Sequence, residues 1–166
     1  MKITGFMIHR FSLPLKRPLF FGSENPEMRA GVIIELRNDS EHIAYGEASP
    51  LPGFSKEDIA TVENELLSLG RSLTGCTVPV DLDKLSGGFE HWLSKYDLSP
   101  SSRCGVETAT LQLMAAERGV PMNRIISYSP RDSVTVNGLL SNQPRVEKHN
   151  VVLFKTAGIT SDFLVR

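Results

Sequence analysis

His9, His42, His91 and His149 are the side chains of this 166-residue sequence best suited to moving a proton near neutral pH. They are scattered, without a partner at a motif spacing, and each reads as a surface or packing residue. Cys76 and Cys104 have no CxxC arrangement and no histidine at ligand spacing, so they read as buried free thiols rather than a disulfide or a zinc site. There is no GxSxG elbow, phosphate-cradling loop or nucleophile beside a base. Glu147 and Lys155 fall in a helical pattern near the end of the sequence, where solvated charge accounts for them. The stretch YGEASPLPGFSKE at 45–57 is different, because it is both stiff and apolar. Pro50 and Pro52 restrict φ and lower the entropy cost of ordering the segment, while Leu51 and Phe54 offer surface that could exclude water from a bound ring. A plainer reading of the same residues has the prolines turning the chain and Phe54 stapling the next helix; Glu47 reads as a strand-end residue.

The totals limit the partners. With 18 basic and 19 acidic residues the formal charge is −1, which gives no broad attraction for nucleic acid or an anionic membrane. Apolar runs such as GVII and NVVLF are far shorter than the roughly 20 residues a bilayer span needs. MKITGFMIHRFSLPL lacks a signal-peptide core, so the cytoplasm is the expected location. The 40% hydrophobic content is enough for a real core.

The elements that must position these residues follow from periodicity. Residues 2–15 alternate as a strand, with Ile3, Met7, Phe11 and Leu13 on one face and Lys2, Thr4, Arg10 and Ser12 on the other. GVIIELRN directs Val32, Ile34 and Leu36 one way and Glu35 and Arg37 the other. The NDSE cluster then turns the chain into IAYGEA, which predicts a three-stranded antiparallel meander. The long connection RPLFFGSENPEMRAG has no usable periodicity, yet Phe20 and Phe21 argue against simple disorder. Ile59, Val62, Leu66, Leu69 and Leu73 stripe a helix, with Ser55 as its N-cap, Asp58 completing a capping box, Phe54 and Ile59 as the staple and Gly75 as the stop.

A short helix is expected near Phe89, Trp92 and Leu93, limited by Gly87 and Gly88. A longer helix carries Val106, Ala109, Leu113 and Ala116 and closes at Gly119 before Pro121. SVTVNGLL at 133–140 then reads as a strand buried on both faces, QPRVEKHNVVLFKTAG as a helix and TSDFLVR as the start of another strand. That order is a βαβ unit, so the fold class is α+β with the opening of a β/α array after it.

GEASPLPGFSKE at 46–57, SSRCGVETATLQLMAAERGVPM at 101–122 and VNGLL at 136–140 resemble, respectively, the loop after the capping sheet, the helix leading to the barrel and the first barrel strand of the o-succinylbenzoate synthases in the enolase superfamily. The resemblance implies an N-terminal capping domain over residues 1–132, followed by 133–166 as the first βα unit and the start of the second strand of a (β/α)8 barrel. A complete barrel takes about 250 residues, so only about the first half of a family member is represented. It also implies two capping-domain loops that shape the substrate pocket: one near 18–30 with Phe20, Phe21 and Ser23, the other at 48–55 with Leu51, Pro52, Gly53 and Phe54. Phe20 and Phe21 fit equally well as core plugs.

The chemistry implied by the resemblance is the dehydration of a succinyl-hydroxycyclohexadiene carboxylate to o-succinylbenzoate, on the way to menaquinone. A proton leaves the carbon next to a carboxylate, and Mg²⁺ holds the resulting enediolate. Relatives carry a Lys-x-Lys pair on the second barrel strand, but neither register of TSDFLVR supplies a lysine, and Arg166 cannot act as a base near neutral pH. No catalytic or metal-binding residue is therefore assigned, and no Mg²⁺ is expected on this chain alone. Three further expectations stand beside this one. The parent could be a dipeptide epimerase or other superfamily member; the chain could be a non-catalytic module that docks, or self-associates, through an unpaired C-terminal strand; or it could be a shortened or frame-shifted product.

Overall fold

The computed structural model describes residues 1–16, 26–84, 86–131, 133, 138–139 and 152–153. The chain divides into two compact units, Met1–Pro130 and Arg131–Arg166.

In the first unit, β1 (Ile3–Pro14), β2 (Met28–Asn38) and β3 (Ile43–Ala48) form an antiparallel sheet in the order β1-β2-β3, the meander that the sequence predicts. Val32, Ile34 and Leu36 are buried at 0% exposure, and their ladder partners Ala48, Gly46 and Ala44 share their face. The turn between β2 and β3 is closed by the Asn38 side chain, whose Oδ1 accepts from the backbone N–H groups of Ser40 and His42 at 3.1 and 2.8 Å. Asx chemistry of this kind is why NDSE turns the chain.

The expected face of β1 needs correcting. A register shift lies between Ile3 and Gly5, so Ile3 points into the core, but beyond the shift Phe6 and Ile8 pack against it instead of Met7 and Leu13. Met7 is 41% exposed and Leu13 58%. A single extra residue in a strand inverts every later side chain, and the alternation in the sequence shows a period but not a bulge.

Helix α1 (Ile59–Leu73) buries Val62, Leu66, Leu69 and Leu73, as its stripe predicts. Its N-cap is Asp58, whose Oδ1 accepts from the Thr61 N–H at 2.8 Å, and not Ser55. Ser55 Oγ instead accepts from the Leu51 N–H at 2.9 Å, and with the helix start moved three residues on, Phe54 leaves the staple position. After α1, Gly75 takes a φ of +90°, the left-handed stop a side chain would resist.

A 3₁₀ turn (Val80–Lys84) and α2 (Gly88–Leu93) bring Leu82, Phe89, Trp92 and Leu93 under the sheet's helical layer. Helix α3 (Pro100–Glu117) buries Val106, Ala109 and Leu113 completely, leaves Ala116 half-buried, and is followed by Gly119 with a φ of +64°. It lies so close on β3 that a Cβ on Gly46 would sit 1.9 Å from the Gly105 carbonyl oxygen, while one on Gly105 would meet Ile34 at 2.8 Å. Glycine at both positions is what allows backbone to rest on backbone there. The 3₁₀ turn and α4 (Met122–Ile126) have no counterpart in the sequence reading.

In the second unit, β4 (Gly138–Leu139) pairs in parallel with β5 (Val152–Leu153). The strand at Gly138–Leu139 falls where SVTVNGLL predicts one. The helix expected over 143–158 is overturned at Val152 and Leu153, which are strand. The local cause is the ladder itself: Val152 and Leu153 give their backbone to Gly138 and Leu139, and a β-branched valine suits an extended backbone better than a helical one. TSDFLVR lies outside the described residues.

Candidate functional site

The site is built where β2 outruns β3. Pairing between them ends at Val32 with Ala48, so the carbonyls of Ser49 and Pro50 continue past the last rung without a strand partner. Arg29, near the start of β2, takes up that role: Nη2 donates to the Ser49 carbonyl at 2.5 Å and Nη1 to the Pro50 carbonyl at 2.8 Å. A planar guanidinium can hold two acceptors at once, which a lysine cannot do in the same geometry. Below the same point Gly31 leaves room that a methyl group would fill, since a Cβ there would sit 2.1 Å from Ser49 Oγ and 2.5 Å from the Phe11 ring. Ser49 Oγ donates in turn to Glu47 Oε1 at 2.6 Å.

From Pro50 the loop folds on itself. The N–H groups of Phe54 and Ser55 both donate to the Leu51 carbonyl, at 3.0 and 2.8 Å, and the Leu51 N–H donates to Ser55 Oγ. Pro52 and Gly53 occupy the two central positions, with Gly53 at a φ of +77°. That is the residue pattern of a type II turn, which uses proline's fixed φ first and glycine's freedom second. Leu51 is half-buried, Pro50 is buried, Pro52 and Gly53 are exposed, and Phe54 is 70% exposed. Phe20, Phe21 and Ser23 lie outside the described residues.

The far end of the loop is tied to α3. Glu57 Oε1 accepts from the backbone N–H and the hydroxyl of Ser101, at 3.0 and 2.5 Å. Those hydrogen bonds, the hydroxyl first, hold the Glu57 carboxyl below its ordinary value against the opposing effect of burial. Glu65, on α1, does the same for Ser99 with bonds of 3.0 and 2.7 Å. Two carboxylates brought in from elsewhere thus serve the N-terminus of α3, where the Ser99 side chain makes no cap bond of its own. Arg29, Glu47, Phe54, Lys56 and Glu57 line a cleft of about 600 Å³ together with Pro100, Ser101 and Cys104 from the start of α3.

Sequence reasoning found the loop but missed what fixes it. Neither Arg29 nor Glu57 has a neighbour in sequence that signals its task. The reading of the cysteines as buried also fails: Cys104 is exposed on α3 and Cys76 is half-buried, its thiol donating to the Ser72 carbonyl at 3.1 Å. His9 and His42 have hydrogen-bond partners brought in by folding, Glu35 and Glu117. Among the described residues, no group of three or more His, Cys, Asp or Glu is arranged to hold a metal ion, and no helix is long and apolar enough to cross a membrane.

The same arrangement of sheet and helices recurs in solved structures. A dipeptide epimerase from Methylococcus capsulatus, solved with Mg and the dipeptide L-Arg-D-Lys, superimposes with a TM-score of 0.71 and 23% identity, over 87% of this chain and 40% of that one. The fold matches that of the capping domains in enolase-superfamily structures. Within that likeness, residues 3–79 match the family model described as MenC, N-terminal domain. Among curated proteins, the o-succinylbenzoate synthase of Aliivibrio salmonicida (strain LFI1238) is 37% identical over 62 residues, 37% of this chain and 19% of that protein. The o-succinylbenzoate synthase of Aliivibrio fischeri (strain MJ11) is 29% identical over 111 residues, 64% of this chain and 28% of that protein. The chain therefore spans less than a third of the length of these synthases.

Proposed function

We propose that this chain is the capping portion of an o-succinylbenzoate synthase-like lyase, and that Leu51, Pro52, Gly53 and Phe54 form one wall of the pocket for a carboxylate substrate. The observation that carries the reading is the doubly tied loop at 50–57, standing at the end of the sheet and within residues 3–79, which match the MenC N-terminal domain. The chemistry of such a lyase requires a base beside the carbon that loses its proton, and oxygen ligands for Mg²⁺. Among the described residues, no group of three or more His, Cys, Asp or Glu offers a donor set that fits Mg²⁺. What these residues contribute is shape. An exposed Phe54 on a stiff turn presents apolar surface to a ring and keeps water from it at little cost in ordering entropy. Phe20, Phe21 and Ser23 are proposed for the second wall, residues 133–166 for the beginning of the barrel, and the cytoplasm for the setting.

Incubated alone with the cyclohexadiene substrate and Mg²⁺, the chain is expected to give no o-succinylbenzoate, read by the ultraviolet absorbance of the aromatic product. Product formed by this polypeptide by itself would overturn the assignment of base and metal ligands to residues other than those described. A second reading, favoured by the structural likeness to a dipeptide epimerase, is a capping domain for dipeptides. Addition of the barrel portion of the Aliivibrio fischeri synthase separates the two: restored dehydration supports the first reading, and deuterium exchange at the α-carbon of a dipeptide without dehydration supports the second.

A further inference from the structure

We propose that Arg29 and Glu57 are positioning residues that lock the loop at 50–57 in one conformation, so that its specificity is preset rather than acquired by closure on the substrate. The inference rests on the pocket-wall reading above only for the use to which the loop is put; the lock itself is a property of the chain. Three observations converge on it. First, the two ends of the loop are tied to different elements, the beginning to β2 through Arg29 and the end to α3 through Glu57. Second, each tie is double and charged on one side, and such hydrogen bonds are stronger than neutral ones. Third, the interior of the loop is closed by three hydrogen bonds between Leu51 and residues 54–55, with Gly53 already at the positive φ its turn requires. A loop meant to hinge would leave at least one end free to absorb backbone rotation; here the proline carbonyl at one end and the helix N-terminus at the other are both occupied.

Other arrangements would not do the same work. Gly31 brings Ser49 within reach of the guanidinium by removing the side chain that would hold it off. Glu57 acts through an acceptor oxygen, so an amide can partly replace its carboxylate, whereas Arg29 needs a fork, so an ammonium cannot replace it. That difference distinguishes positioning from general structural support.

The test is amide hydrogen exchange on the whole chain without substrate. The N–H groups of Leu51, Phe54 and Ser55 report on the loop, and those of Ile34, Leu36, Leu66 and Leu69 report on the core. Arg29→Met, Arg29→Lys and Glu57→Ala are expected to speed exchange of the three loop amides by at least about tenfold, since each removes at least one charged hydrogen bond, while core amides stay within about twofold of the parent. Glu57→Gln, which keeps the acceptor oxygen but loses the charge, is expected to fall between the parent and Glu57→Ala. Loop amides unchanged in Arg29→Met and Glu57→Ala would overturn the proposal. So would core amides accelerating in step with them, because that would make the two residues supports of the whole fold. Failure of the synthase reading appears in the product assay instead, and leaves this measurement as it is.

Discussion

Glu35 and Glu57 both accept hydrogen bonds brought by folding, one from charged and the other from neutral donors. Glu35, on the outer face of the sheet, is buried at 7% exposure and accepts from Arg37 at 2.8 Å and pairs with His9 at 3.1 Å. The Arg37 hydrogen bond lowers its carboxyl below the ordinary 4.5, against desolvation and with His9 adding to the lowering. Asp58 and Glu57 are lowered as well, by hydrogen bonds from Thr61 and Ser101. A carboxyl depressed in the folded state stabilises the fold above its unfolded value and loses that contribution as pH falls through the folded value. Urea midpoints, read by the single Trp92, should therefore be flat from about pH 7 to pH 5 and fall below about 4.5. Glu35→Gln should lower the midpoint at neutral pH and make the acid fall shallower, leaving the share owed to the other carboxyls; an unchanged acid limb would count against the Glu35 network.

At the scale of elements, the two candidate caps of α1 lie three residues apart and do different jobs. Asp58 satisfies the first turn of the helix, while Ser55 satisfies Leu51 inside the loop. Asp58→Ala is expected to lower the midpoint of chemical denaturation, the usual loss for an N-cap. Ser55→Ala should leave the helix cap intact and be felt as faster exchange of the Leu51 amide. The reverse pattern would restore the capping box that the sequence suggests. Both serine and aspartate are good caps by propensity, and no local rule chooses between them when the spacing allows either. The choice falls to the loop, which needs a short hydroxyl opposite Leu51.

For the molecule as a whole, the buried cluster of the described residues runs from Ile3 to Met114, within the unit Met1–Pro130. A chain ending at Pro130 is therefore expected to melt cooperatively at the midpoint of the 166-residue chain, measured by Trp92 fluorescence and far-ultraviolet circular dichroism together. A broad, non-cooperative transition would show that residues 131–166 complete the core. The meander, the stripe of α1 and the buried face of α3 were legible because an apolar period survives any tertiary context that buries one face. The inward face of β1 was not, because one bulged residue changes which parity is inside without changing the composition. The helix read over 143–158 gave way at Val152 and Leu153 for a related reason: a short apolar run with β-branched residues fits either period, and the parallel pairing of these two with Gly138 and Leu139 decided it there.

The sequence by itself determined which segments alternate, which are striped and where proline and glycine must turn the chain, since those are local steric and burial preferences. It also carried the likeness that pointed to the capping fold. Only the tertiary structure decided that Arg29 would meet the carbonyls of Ser49 and Pro50, that Glu57 would meet Ser101, and that Gly46 would let α3 rest on β3. These partners are separated by 20 to 59 residues in the chain, and no spacing rule reaches across such intervals; they become neighbours only when the apolar faces of sheet and helices are brought together.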